Sequence, residues 1–105
     1  LVHTTETREE DVKLHKLIKR TREERSFTQT ELAKRTKVSL GYLSRVESGQ
    51  LVPGEDLLNR LAMALSLPMD EVLVAAGRLP RDVERFLIAN PKAVARVRTM
   101  MGSSP

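Results

Sequence analysis

TQTELAKRTKVSLGYLSRVESG, residues 28–49, reads as two short helices joined by a tight turn. Thr28-Gln29-Thr30-Glu31 is a capping box, in which the Thr28 hydroxyl takes an N–H of the first turn and the Glu31 carboxylate reaches back. Phe27, just before it, is placed to staple the start of the helix to Leu32. This helix is expected to run to about Thr36, with Leu32 inward beside Ala33, whose small side chain permits close approach to the next helix. Lys37-Val38 makes the turn. Ser39 is a good N-cap for the following helix, which is expected to end at Glu47 or Ser48, where Gly49 stops it.

Upstream, Leu14, Leu17 and Ile18 follow i, i+3, i+4 spacing among Lys, Arg and Glu, with Val12 and Thr21 flanking. The spacing predicts an amphipathic helix over about Glu9 to Arg25. Downstream, Pro53-Gly54-Glu55-Asp56 marks a helix start, because proline and acids suit exposed N–H groups and the positive end of the dipole. Leu57, Leu58, Leu61, Ala62 and Leu65 form its apolar stripe. Pro68 opens a short helix through Asp70-Glu71 to about Ala76 that buries Val72 and Leu73, and Gly77 ends it. Five helices by residue 77 make a complete small all-α bundle. Two more are expected beyond it. One spans Pro80 to Ala89 with Val83, Phe86 and Leu87 on one side. The other spans about Pro91 to Met101, with Asn90 as N-cap, Pro91 at the first position, and Val94, Val97 and Met100 or Met101 on one stripe. The chain divides into a flexible arm (1–8), a bundle (9–77), a helical extension (78–101) and a loose tail (102–105).

A chain of 105 residues has room for one small domain and an appendage. Aromatic residues make up 3% (Phe27, Tyr42, Phe86), so the core must be built from Leu, Val, Ile, Ala and Met, which suits helices. With no cysteine, disulfides, thiolate zinc sites and thiol catalysis are excluded together. No run approaches the ~18 apolar residues of a membrane-spanning helix, and LVHTTETREED at the start lacks the apolar centre of a signal peptide. Net charge is +4, and its placement matters more than its size. Residues 8–37 hold ten Lys/Arg against six acids, whereas residues 38–105 hold eight against seven. The basic excess therefore lies beside the opening stretch, although a solvated charged helix face produces much of this pattern alone.

On a helical wheel at ~100° per residue, Leu40, Gly41, Ser44, Arg45 and Ser48 fall within an arc of about 140°, opposite Tyr42, Leu43, Val46 and Glu47. The first set is the exposed face. Arg45 on it can bond guanine O6 and N7 bidentately, Gly41 and Ser44 allow close approach, and Leu40 can touch a thymine methyl. The plain alternative is that Arg45 is an ordinary surface arginine. A two-helix unit with such a face is the layout of a helix-turn-helix that binds duplex DNA in the major groove.

Gln29, Leu32-Ala33, Val38-Ser39, Tyr42-Leu43-Ser44-Arg45-Val46-Glu47 and Gly49 together resemble the lambda-repressor-like, Cro/CI-type helix-turn-helix family (the XRE family). The likeness extends through Leu17-Ile18 and Arg22 on one side and Pro53, Leu57 to Leu65 and Val72-Leu73 on the other, about residues 10–77. The resemblance implies a five-helix lambda-repressor-like bundle, here with two additional C-terminal helices. It implies base reading by Leu40, Gly41, Ser44 and Arg45, and phosphate contacts from Gln29, Ser39 and Tyr42, with Lys37 and Gln50 as further candidates. For Tyr42, packing against the preceding helix is an equal alternative. It also implies a buried structural ion pair between Arg22 and Glu47. One departure stands out: the family usually has glycine where this chain has Lys37, at a left-handed position that costs other residues on the order of 1 kcal/mol.

The expected function is that of a transcriptional regulator, a homodimeric repressor on a pseudo-palindromic operator, with duplex DNA as partner, no cofactor and no metal. An enzyme finds little support. The two histidines, His3 and His15, are distant from each other, His15 is expected on the surface, and no carboxylate pair or glycine-rich phosphate loop accompanies them. The rival is a protein-interaction module such as an antitoxin, to which residues 78–101 lend force. For these the reading is a dimer interface through Val83, Phe86, Leu87, Val94 and Val97, with folding back onto the bundle as the alternative. A cytoplasmic location, at the nucleoid when bound to DNA, follows from this expectation, and 105 residues leave no room for a sensory domain.

Overall fold

The computed structural model describes residues 13–102. Among them it has seven helices and no strand: α1 (Leu14–Glu24), α2 (Gln29–Thr36), α3 (Leu40–Glu47), α4 (Glu55–Leu65), α5 (Met69–Ala75), α6 (Arg81–Ala89) and α7 (Pro91–Met100). The arm, Val12, the expected helix start at Glu9 and residues 103–105 lie outside the described residues. Lys13 is extended (φ −67°, ψ 137°), so α1 begins at Leu14 rather than continuing unbroken from further upstream.

The core is the one the apolar spacing called for. Leu14, Leu17 and Ile18 of α1, Leu32 and Ala33 of α2, Leu43 and Val46 of α3, all five stripe residues of α4, and Val72 and Leu73 of α5 are buried. Helix α4 packs on α1, α2 and α5, while α3 rests on α1 and α2. Each large aliphatic side chain so buried contributes about 1.5–3 kcal/mol, which helices of 7 to 11 residues need because they are too short to hold in isolation.

One charged pair runs through this apolar packing. Arg22 of α1 grips the Glu47 carboxylate of α3 with two parallel bonds, Nε to Oε2 at 2.7 Å and Nη2 to Oε1 at 3.0 Å. Its Nη1 donates to the Phe27 carbonyl at 2.8 Å, and the Gln29 amide donates to Glu47 Oε1 at 3.0 Å. The side chains are 11% and 3% exposed, so water does little to screen them. The hydrogen bond to Glu47 holds the guanidinium above its ordinary pKa, against the opposing pull of burial.

All five bundle helices end in the same way. In each, a residue of left-handed backbone follows the last turn; its own N–H closes back onto the carbonyl three residues before it, and the next N–H onto the carbonyl five residues before. For α2 these bonds are Lys37 N to Lys34 O (3.2 Å) and Val38 N to Ala33 O (3.0 Å). Gly49 (φ 82°) and Gly77 (φ 80°) fill this position after α3 and α5, but Ser26 (φ 60°), Lys37 (φ 60°) and Ser66 (φ 56°) fill it after α1, α2 and α4. The difference follows the next residue. Phe27, Val38 and Leu67, which come after the three non-glycine positions, all pack against the core. Gln50 and Arg78, which come after the glycines, are exposed. Apolar packing of the residue beyond the stop offsets the steric cost of a side chain at it.

Helices α6 and α7 form a hairpin whose main packing partner is itself, and no residue of either is fully buried. The chain is accordingly elongated, with a radius of gyration of 16.0 Å, against roughly 13 Å for a compact domain of about this size. Folding back onto the bundle is not what the described residues do. Asn90 also differs from expectation: its side chain does not cap α7, and its Nδ2 donates instead to the Phe86 carbonyl at the end of α6 (2.8 Å).

Two measurements check this account. Glu47→Ala strands the buried Arg22 guanidinium and is expected to cost about 3–5 kcal/mol in urea denaturation, whereas Arg22→Met with Glu47→Leu loses less than Glu47→Ala alone. Ser66→Gly relieves left-handed strain and is expected to stabilise by about 1 kcal/mol, raising Tm by about 4–8 °C.

Candidate nucleic-acid interface

Helix α3 is presented from behind. Leu43, Val46 and Glu47 anchor its inner side, leaving Leu40, Gly41, Ser44 and Arg45 together on an exposed face. The start of the helix is tied by Ser39, whose Oγ accepts the Tyr42 N–H at 3.0 Å, and its end by Ser48, whose hydroxyl donates to the Arg45 carbonyl at 3.1 Å. The Ser39 O–H remains available as a donor. Arg45 extends from this face with no hydrogen-bonded or ionic partner among the described residues.

Gly41 is informative because the fold does not require it. A Cβ built there would meet no atom within 4 Å. Glycine costs a helix about 1 kcal/mol relative to alanine, and no internal contact recovers that cost. What the missing side chain leaves is an open notch between Leu40 and Ser44 on the outward face. Gly49 is the opposite case: its φ is positive, and an added Cβ would lie 3.3 Å from the His15 ring. His15 is therefore half-buried over the end of α3 rather than a free surface residue.

The other expected site residues surround α3. Gln29 opens α2, next to backbone N–H groups at the positive end of that helix, but its amide nitrogen is already engaged with Glu47. One amide proton is left for an outside acceptor, and any outside contact is coupled to the brace between α1 and α3. Tyr42 is half-buried and packed against the core. Lys37 and Gln50 are exposed at the two ends of α3. The hairpin residues Val83, Phe86, Leu87, Val94 and Val97 are separate from this surface. Exposure there extends to Ile88 (76%) and Met100 (84%), with Leu87 half-buried.

The capping box forms as read, with Glu31 N donating to Thr28 Oγ1 (3.0 Å) and Thr28 N to Glu31 Oε1 (2.8 Å). The N–H of Thr28, then its hydroxyl, hold the Glu31 carboxyl below the ordinary carboxylate range. This contribution to stability is present at neutral pH and is lost as pH falls through the lowered value. Not every basic residue beside the stretch serves the surface. The Arg25 guanidinium donates to the Leu65 carbonyl and so ties the end of α1 to the last turn of α4. Phe27 lies under the Arg35 guanidinium, 4.5 Å from its ring centre. Neither contact is visible in spacing, because each joins residues that only the packing brings together.

Known proteins match this description. A family model described as helix-turn-helix matches residues 18–72. The transcriptional regulator ClgR of Mycobacterium tuberculosis is 38% identical over 77 residues, which span 73% of this chain and 69% of that protein. The ImmF control region 10 kDa protein of Bacillus phage phi105 is 40% identical over 58 residues, 55% of this chain and 64% of the phage protein. Among solved structures, the crystal structure of the clp gene regulator ClgR from Corynebacterium glutamicum is similar at a TM-score of 0.55 and 30% identity, covering 84% of this chain and 88% of that one. Matched across more than half its length and mounted on a five-helix bundle, the chain belongs to the XRE-type helix-turn-helix family.

Proposed function

We propose that this DNA-binding transcriptional regulator inserts α3 into the major groove and reads a specific sequence there. The observation that carries the reading is the outward face of α3, where a long unpaired donor, Arg45, stands beside a notch at Gly41 that the fold itself does not need. Leu40 and Ser44 complete the base-reading set. Gln29, Ser39, Tyr42, Lys37 and Gln50 hold the flanking phosphates, with Ser39 supplying its free O–H and the first turn of α2 the N–H groups that the Thr28 cap leaves open. Residues 9–77 form the DNA-binding unit and residues 78–101 the dimerisation unit. The exposed apolar residues of the α6–α7 hairpin favour pairing of two copies, which sets two reading helices about one duplex turn (~34 Å) apart on a pseudo-palindromic operator. Repression by occupancy of that operator needs no cofactor, metal or catalytic group, and the chain acts as a binding protein rather than an enzyme. No helix among the described residues is long and apolar enough to cross a membrane, and action on DNA puts the working protein in the cytoplasm at the nucleoid.

Titration of duplex at several salt concentrations tests this directly. Affinity is expected to fall steeply with salt, and Arg45→Ala to relax preference at one base pair by ~1–3 kcal/mol, while Gln29→Ala weakens all sequences alike. An unchanged preference in Arg45→Ala would remove that residue from the reading set. Gly41→Ala is expected to raise stability by about 1 kcal/mol while weakening specific binding, a divergence that a purely structural glycine would not give. Phe86→Glu is expected to halve the mass seen by light scattering without loss of helicity; an unchanged monomer before and after would end the dimer proposal.

A further inference from the structure

The end of α2 and the outer side of α4 enclose a shallow cavity of about 490 Å³ lined by Arg35, Lys37, Arg60, Met63 and Ala64. Three cations thus surround an apolar floor, and the groups that compensate them within the protein are few. Arg60 reaches Asp56 at 3.5 Å through Nη2 alone, and that carboxylate is 93% exposed. Its Nε is buried with no hydrogen-bond partner among the described residues. A buried guanidinium N–H without an acceptor costs free energy, so the Arg60 guanidinium is under-satisfied by its own chain. Arg35 is stacked on Phe27 and feels the Glu31 carboxylate one turn earlier, but no hydrogen bond among the described residues occupies the N–H groups around its edge. Lys37 forms no ion pair among the described residues, and its backbone is fixed in the left-handed region by the α2 stop, which holds its side chain at the cavity rim.

We infer that this groove is a phosphate-binding site, separate from the outward face of α3. Forked guanidinium donors from Arg35 and Arg60 and the point charge of Lys37 match the several oxygens of a phosphate group, and Met63 and Ala64 accept whatever apolar part follows it. The phosphate comes either from a free phosphorylated molecule or from the backbone of the bound duplex. The two sources differ in consequence. A free ligand draws on Lys37 at the turn into α3 and competes with any phosphate contact that Lys37 makes to DNA, whereas a backbone phosphate extends the DNA footprint around the end of α2.

The test uses the full chain and pyrophosphate as probe, followed by amide NMR shifts at constant ionic strength with chloride as reference. Saturable shifts are expected at Arg35, Lys37, Arg60, Met63 and Ala64. They should weaken about tenfold or more in Arg60→Gln and in Met63→Glu, whose site is 74% exposed and so tolerates the change without unfolding. Shifts no larger than those from chloride, or unchanged in either variant, would overturn the inference. With pyrophosphate binding established, affinity of Met63→Glu for a random-sequence duplex assigns the source. Unchanged affinity identifies a free phosphorylated ligand, and a matching loss identifies the duplex backbone. Because pyrophosphate is measured without DNA, this result stands apart from the base-reading role of α3.

Discussion

The Arg22–Glu47 pair is the constraint on which the rest depends. It joins α1 to α3 across 25 residues of sequence, and both oxygens of the carboxylate are engaged by the guanidinium. Burial makes the pair a locating device more than a source of net stability: desolvating two charges consumes most of what their attraction returns, but any arrangement that separates them is heavily penalised. Rotation of α3 about its axis would carry Glu47 away from Arg22, so the pair selects which face of α3 turns outward. Gln29 and the Phe27 carbonyl share in it, which ties the start of α2 to the same fixed point. A helix-turn-helix needs its two helices held in one relation, and here that relation is set by a single carboxylate with three donors.

The five matching helix stops show a second constraint at work. Left-handed backbone is disfavoured for any residue with a Cβ, yet three of the five stops are Ser or Lys. Each is followed by an apolar residue that packs against the core, and each glycine stop is followed by an exposed polar one. Packing of the next side chain thus takes over the task glycine performs elsewhere. At Lys37 the exchange also places an exposed positive charge at the turn into α3, where glycine would leave none. The departure from the family pattern is in this sense a trade of local backbone ease for surface charge.

Beyond the bundle, the α6–α7 hairpin is legible as helices but unfinished as packing. Its apolar residues, from Val83 to Met100, find few partners among the described residues, and the hairpin packs chiefly on itself. The bundle and the hairpin therefore answer to different conditions: one is closed by its own side chains, the other presents an apolar stripe outward.

Much of this was legible from the residues alone, and the dividing line is physical. Helix starts and stops rest on bonds between neighbours three to five residues apart, so Thr28–Glu31, Ser39, Gly49 and Gly77 declared themselves, as did every core position set by helical spacing. The outward face of α3 followed from the same 3.6-residue period. The stops at Ser26 and Ser66 did not, because they depend on Phe27 and Leu67 being drawn into the core. Nor did the Gln29 bond to Glu47, the Arg25 tie to α4, the His15 ring over Gly49, or the gathering of Arg35, Lys37 and Arg60 around one groove. Each of these joins residues that are distant along the chain, and periodicity says which side a residue faces without saying what it meets there. Sequence determined the helices and their inner and outer faces; tertiary packing decided which outer residues became neighbours, because only the relative placement of the helices brings those side chains within bonding reach.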